Sequence, residues 1–73
     1  MGNTGKVITV SINGINRQIQ ANATAASLII EMGLQGKRVA LERNGEIVPR
    51  SRFEIQQLSE GDKLEIVVAV GGG

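Results

Sequence analysis

Two Asn-Gly dipeptides, Asn13-Gly14 and Asn44-Gly45, constrain this chain more than any other feature. A two-residue type I′ turn needs positive φ at both central positions, and Asn-Gly meets that need at low steric cost. Each pair therefore marks a tight β-hairpin wherever strands flank it. Before the first pair, Ile8, Val10 and Ile12 alternate with Val7, Thr9 and Ser11, which is the period and the β-branched content of a strand. A two-residue loop sets Ile15 opposite Ile12, Arg17 opposite Val10 and Ile19 opposite Ile8. Arg17 then falls on the apolar face. Either its stem lies over the sheet edge with its head in water, or the register is off by one. Around the second pair, Val39 and Leu41 alternate with Ala40 and Glu42. The return run Glu46-Ile47-Val48 ends at Pro49, which cannot donate to a ladder and so closes a short edge strand.

Between the hairpins the period changes from two to that of a helix. Thr24 is a suitable N-cap, and Ala25, Leu28, Ile29 and Met32 recur on one face while Ile30 points away. Gly33 takes the position just past the helix end, with Leu34 closing over it. Arg50–Gln57 is polar except for Phe53 and Ile55 and reads as an irregular crossing with one helical turn, Phe53 being a core residue. After Leu58 and the turn Glu60-Gly61-Asp62, the run Lys63–Val70 is the longest and most apolar strand. Its Leu64, Ile66 and Val68 are expected to face the core from a central position.

That strand runs into Gly71-Gly72-Gly73. Three residues without side chains form a tip that can enter a slot too narrow for any other residue and reach roughly 10 Å. The only distinctive chemical group on it is the Gly73 carboxylate. Met1–Gly5 is expected to be a flexible end, so the chain reads as one domain over residues 1–73 with a flexible glycine tail at 71–73.

Composition removes most function classes. Without cysteine or histidine, there is no thiolate nucleophile, no neutral-pH base and no expected metal site. The charge is +1, with basic residues spread along the sequence and Phe53 the single aromatic, so nothing points to nucleic acid. No apolar run approaches the roughly 20 residues that span a bilayer. No signal peptide is visible. A cytoplasmic monomer is the expectation. The alternation also places Ala40, Ile47, Val67 and Ala69 together on the sheet face opposite the helix. Such small apolar residues near the root of the tail form a candidate partner-docking patch. The charge pairs Glu42 with Arg50 and Lys63 with Glu65 are expected to be solvated and worth little.

A four- or five-stranded mixed sheet with one main helix across one face is the natural α+β arrangement at this size. With glycines at its end, it resembles the β-grasp (ubiquitin-like) fold. Three stretches narrow the resemblance: Asn44-Gly45-Glu46-Ile47-Val48-Pro49-Arg50-Ser51, then Gly61-Asp62-Lys63-Leu64-Glu65-Ile66-Val67, then Val70-Gly71-Gly72-Gly73. Together with Thr24–Leu34 they are similar to the thiamine-biosynthesis sulfur carrier family, ThiS, over roughly Ile8 to the end. Val-Pro-Arg-Ser and the final glycines are the specific parts. The departures are the longer segment Met1–Lys6 and Arg17, where an apolar residue is common.

The resemblance implies a protein co-substrate, not an enzyme. A ThiF-type adenylyltransferase, using ATP and magnesium, is expected to convert the Gly73 carboxylate to an acyl adenylate. A persulfide sulfur donor would replace the adenylate to leave a thiocarboxylate, and thiazole synthase would take the sulfur. Gly71 and Gly72 would thread the partner's slot. The chain has no glycine-rich loop opening a helix, so it has no ATP cradle of its own. Two alternatives stay open at this point: a carrier for molybdopterin synthesis or tRNA thiolation, and a β-grasp binding module with an inert tail.

Overall fold

The computed structural model describes residues 6–69. In chain order, the elements are Val7–Ile12 (β1), Ile15–Gln20 (β2), Ala25–Glu31 (α1), Val39–Arg43 (β3), Glu46–Val48 (β4), a 3-10 turn Arg50–Arg52, and Lys63–Val68 (β5). They form one five-stranded sheet in the order β2-β1-β5-β3-β4. β5 pairs parallel with β1 and antiparallel with β3, so the last strand is central and the sheet is mixed.

Both hairpins form as their sequences predict. Asn13 and Asn44 each have φ 53°, and Gly14 and Gly45 each 85°. The first hairpin has the expected register, Ile12 with Ile15, Val10 with Arg17 and Ile8 with Ile19. Arg17 is nonetheless exposed, because β2 is an edge strand. The conflict is resolved by position in the sheet, with no slip of register.

Helix α1 is short, and its ends are closed by side chains and by the crossing segment. Thr24 Oγ1 accepts from Ser27 N–H, while Ser27 Oγ accepts from Thr24 N–H, a reciprocal capping box. The amides of Ala25 and Ala26 donate to the carbonyls of Gln56 and Phe53, so the helix N-terminus is satisfied partly by residues far along the chain. At the other end, Gly33 N–H donates to Ile30 O and Leu34 N–H to Ile29 O, the Schellman pattern.

The core forms where the helix stripe meets the inner sheet face. Ala25 and Leu28 join Val10, Ile12, Ile19, Leu41, Leu64 and Ile66 in one buried cluster, with Leu58 from the crossing segment. Met32, Leu34, Val39 and Phe53 pack around it, partly buried. Val68 is half-buried, and Ile30 and Ile55 are exposed.

Neither expected surface charge pair forms. Glu42 lies on the outer sheet face, Arg50 belongs to the turn beyond β4, and Lys63 and Glu65 are neighbours on one face of one strand. Among the described residues the one ion pair joins Arg43 and Asp62.

Candidate functional site

The inner face fixes the outer one. Leu41, Ile66 and Val48 are buried, so the alternate residues of the same strands turn outward. Ala40 lies directly opposite Val67, and Ile47 directly opposite Glu42. Ile47 is therefore the diagonal neighbour of Ala40, within side-chain reach. Ala69 follows β5, its N–H donating to Arg38 O at 2.9 Å. All four residues are exposed, Val67 by 63% and Ile47 by 68%. The structure thus brings the four proposed docking residues to one end of one face. Glu42 and Glu65 are also directly opposite each other, so the apolar corner is bordered by two carboxylates.

The expected flexible ends, 1–5 and 71–73, lie outside the described residues, as do the three tail positions Gly71, Gly72 and Gly73. The anchorage of the strand that leads to them is described. Asn13 accepts from Ile66 N–H at 2.8 Å through Oδ1 and donates to Ile66 O at 3.1 Å through Nδ2. Asn44 accepts from Lys63 N–H at 2.9 Å and donates to Asp62 Oδ1 at 3.0 Å. Each hairpin asparagine thus serves twice: it supplies positive φ for its own turn, and its amide grips β5 from one side.

Asp62 is the other anchor, and the sequence reading treats it only as a turn residue. It is buried, and its Oδ2 receives Arg43 Nε at 2.7 Å and Ser59 N–H at 2.8 Å. Burial pushes its carboxyl pKa up. The hydrogen bonds from Arg43, Ser59 and Asn44 and the Arg43 charge outweigh that and hold it below the ordinary value. The local signal was Ser59-Glu60-Gly61-Asp62, a turn in which a carboxylate can bond back to the amide three residues earlier. Arg43, by contrast, lies nineteen positions away.

Among the described residues no cluster of three His, Cys, Asp or Glu is placed to hold a metal ion. No helix there is long and apolar enough to cross a membrane. Among the described residues the arrangement is a strand anchored by both hairpin asparagines, with an exposed apolar corner beside it.

A mixed five-stranded sheet with one helix across its inner face is the β-grasp, ubiquitin-like fold. Comparison with known proteins narrows this. The model of the ThiS family matches residues 10–73, and the chain belongs to that family. It is 40% identical over 50 residues to the "Sulfur carrier protein ThiS" of Bacillus subtilis, covering 68% of this chain and 76% of that one. It is 47% identical over 62 residues to a "Thiazole synthase" of Paramagnetospirillum magneticum, covering 85% of this chain but 19% of that protein. The chain thus spans about a fifth of that relative's length. The crystal structure of a thiamine biosynthesis protein (ThiS) from Geobacter metallireducens superimposes with a TM-score of 0.76 at 25% identity, covering 90% of this chain and all of that one.

Proposed function

We propose that this chain is a sulfur carrier for thiamine (thiazole) biosynthesis, acting as a protein co-substrate and not as an enzyme. Membership of the ThiS family through residues 10–73, final glycines included, carries the reading. A carboxylate is a poor acyl donor, since its leaving group would be oxide. In this reading a ThiF-type adenylyltransferase binds ATP and magnesium and joins the Gly73 carboxylate to AMP, releasing pyrophosphate. A persulfide displaces AMP, and a thiol cleaves the resulting disulfide to leave the Gly73 thiocarboxylate. Thiazole synthase is the recipient. A segment similar to this chain within a polypeptide named thiazole synthase supports that pairing. A cytoplasmic location goes with the reading.

This chain's own contribution is mechanical. Gly71 and Gly72 thread the partner's slot, because only a chain without side chains passes where backbone must approach closely. The corner formed by Ala40, Ile47, Val67 and Ala69 docks the body. The grip of Asn13 and Asn44 on β5 keeps the root of the tail at a fixed place relative to that corner, so docking also aims the carboxylate.

Complementation tests the reading. In a strain that needs thiamine because its own carrier is deleted, the chain is expected to restore growth. The same chain with one residue added after Gly73 is expected to fold and to fail. Rescue by the extended chain would leave the tail inert and the domain a binding module.

A further inference from the structure

The sequence scatters its cations, but the fold gathers three of them around Val39. Lys37 and Arg50 line a groove of about 520 Å³ on the helix side of the sheet. Arg50 and Arg38 line a smaller depression that continues from it past Val39 to Ala69. Ile30, Leu34, Val39 and Phe53 supply apolar walls to the groove, and Ile30 is 53% exposed there. Glu54 is the one carboxylate in its lining, and no ion pair joins it to Lys37 or Arg50.

The backbone adds a polar handle. Antiparallel ladders alternate, so a residue that bonds one neighbour strand turns away from the other. Asn44 N–H donates to Lys63 O, and Ala69 N–H donates to Arg38 O. Even-numbered positions of β3 therefore bond β5, and Val39, Leu41 and Arg43 turn toward β4. Leu41 and Arg43 meet Val48 and Glu46 there. Val39 pairs with Val68 on β5, but among the described residues it has no partner on the β4 side, because β4 ends at Val48 and Pro49 leads into the 3-10 turn. An apolar cleft with a few convergent polar groups is the usual form of a recognition site. An unpaired strand position is a template for an extended chain.

We propose that this groove takes an extended acidic segment of a partner protein. The segment's main chain bonds Val39, an aliphatic side chain covers Ile30, Leu34 and Phe53, and a carboxylate meets Lys37 or Arg50. Charge complementarity selects this occupant: three cations surround the site, and among the described residues none has a carboxylate partner. The groove itself lies on the helix side, while the Arg38 depression also touches Ala40 and Ala69, so a segment confined to the groove leaves Ile47 and Val67 of the outer corner free. The proposal is independent of the tail chemistry.

The test is a titration of the isotopically labelled chain with the acetylated, amidated peptide Glu-Leu-Asp-Val-Glu, read as amide shifts. The controls are the Gln/Asn analogue of the peptide and inorganic phosphate. Saturable shifts confined to the neighbourhood of Ile30, Lys37, Val39 and Phe53 are expected at millimolar peptide, weakening as salt rises. Lys37→Gln, in an exposed loop, and Arg50→Gln are each expected to weaken binding about three- to tenfold. Three results would overturn the proposal: no shifts at these amides, equal affinity for the neutral analogue, or the same shifts with phosphate alone. Thiocarboxylate formation is scored separately, so failure here and failure of the carrier reading are distinguishable.

Discussion

On β3 and β5, Leu41 and Ile66 face each other and are buried; one residue along, Ala40 and Val67 face each other and are exposed. The same two strands thus carry apolar pairs on both faces, and only one face is used by the fold. The inner pairs meet α1 and exclude water, which is where burial stabilises the domain. The outer pairs, with Ile47 beside them and Glu42 facing Glu65, meet nothing among the described residues. An arrangement that adds nothing to the core and sets like charges opposite each other costs some stability. In the carrier reading, it is retained for a partner.

The contrast can be broken from the inner face first. Leu64→Ala removes a fully buried side chain at the centre of the sheet. It is expected to cost about 2–5 kcal/mol in denaturant unfolding. Asp62→Ala comes next at about 2–3 kcal/mol, since it leaves Asn44, Ser59 and Arg43 without their acceptor. Its pH signature is separate. The folded-state pKa lies below the ordinary value of 3.8. Its stabilising contribution is therefore present above that value and is lost as pH falls through the folded pKa. Stability of the native chain should fall in this acid range, and Asp62→Asn should flatten that part of the profile. Thr24→Ala, which opens the capping box, should cost about 1 kcal/mol.

The outer face is expected to behave the other way. Ile47→Ser and Val67→Ser should each change stability by less than about 1 kcal/mol. In the carrier reading each should nevertheless weaken association with a ThiF-type adenylyltransferase about tenfold, measured by titration calorimetry. Glu65→Gln should raise stability slightly, by about 0.2–1 kcal/mol, by relieving the facing Glu42. An outer-face variant as destabilising as Leu64→Ala would erase the distinction between the faces.

Local chemistry is what the sequence exposes. The Asn-Gly turns, the register they impose, the Thr24 cap and the Gly33 stop depend on neighbours close along the chain, and all are present as read; the central place of the last strand is legible from its length and apolar content instead. The features it hides depend on distant partners. Asn13 to Ile66 spans 53 positions and Arg43 to Asp62 nineteen, and period or propensity carries no trace of such pairings. The same limit explains the three cations that meet around Val39. Strand alternation placed the outer corner correctly because a period of two, once the inner face is known, leaves no choice.

The central claim concerns Gly73, and the most direct measurement is the intact mass of the chain after incubation with an adenylyltransferase, ATP, magnesium and a persulfide donor. With a thiol present to cleave the acyl disulfide, the account predicts a gain equal to replacing one oxygen by sulfur, localised by fragmentation to Gly73. An unchanged mass, with the same enzyme converting its own carrier in a parallel reaction, would contradict it.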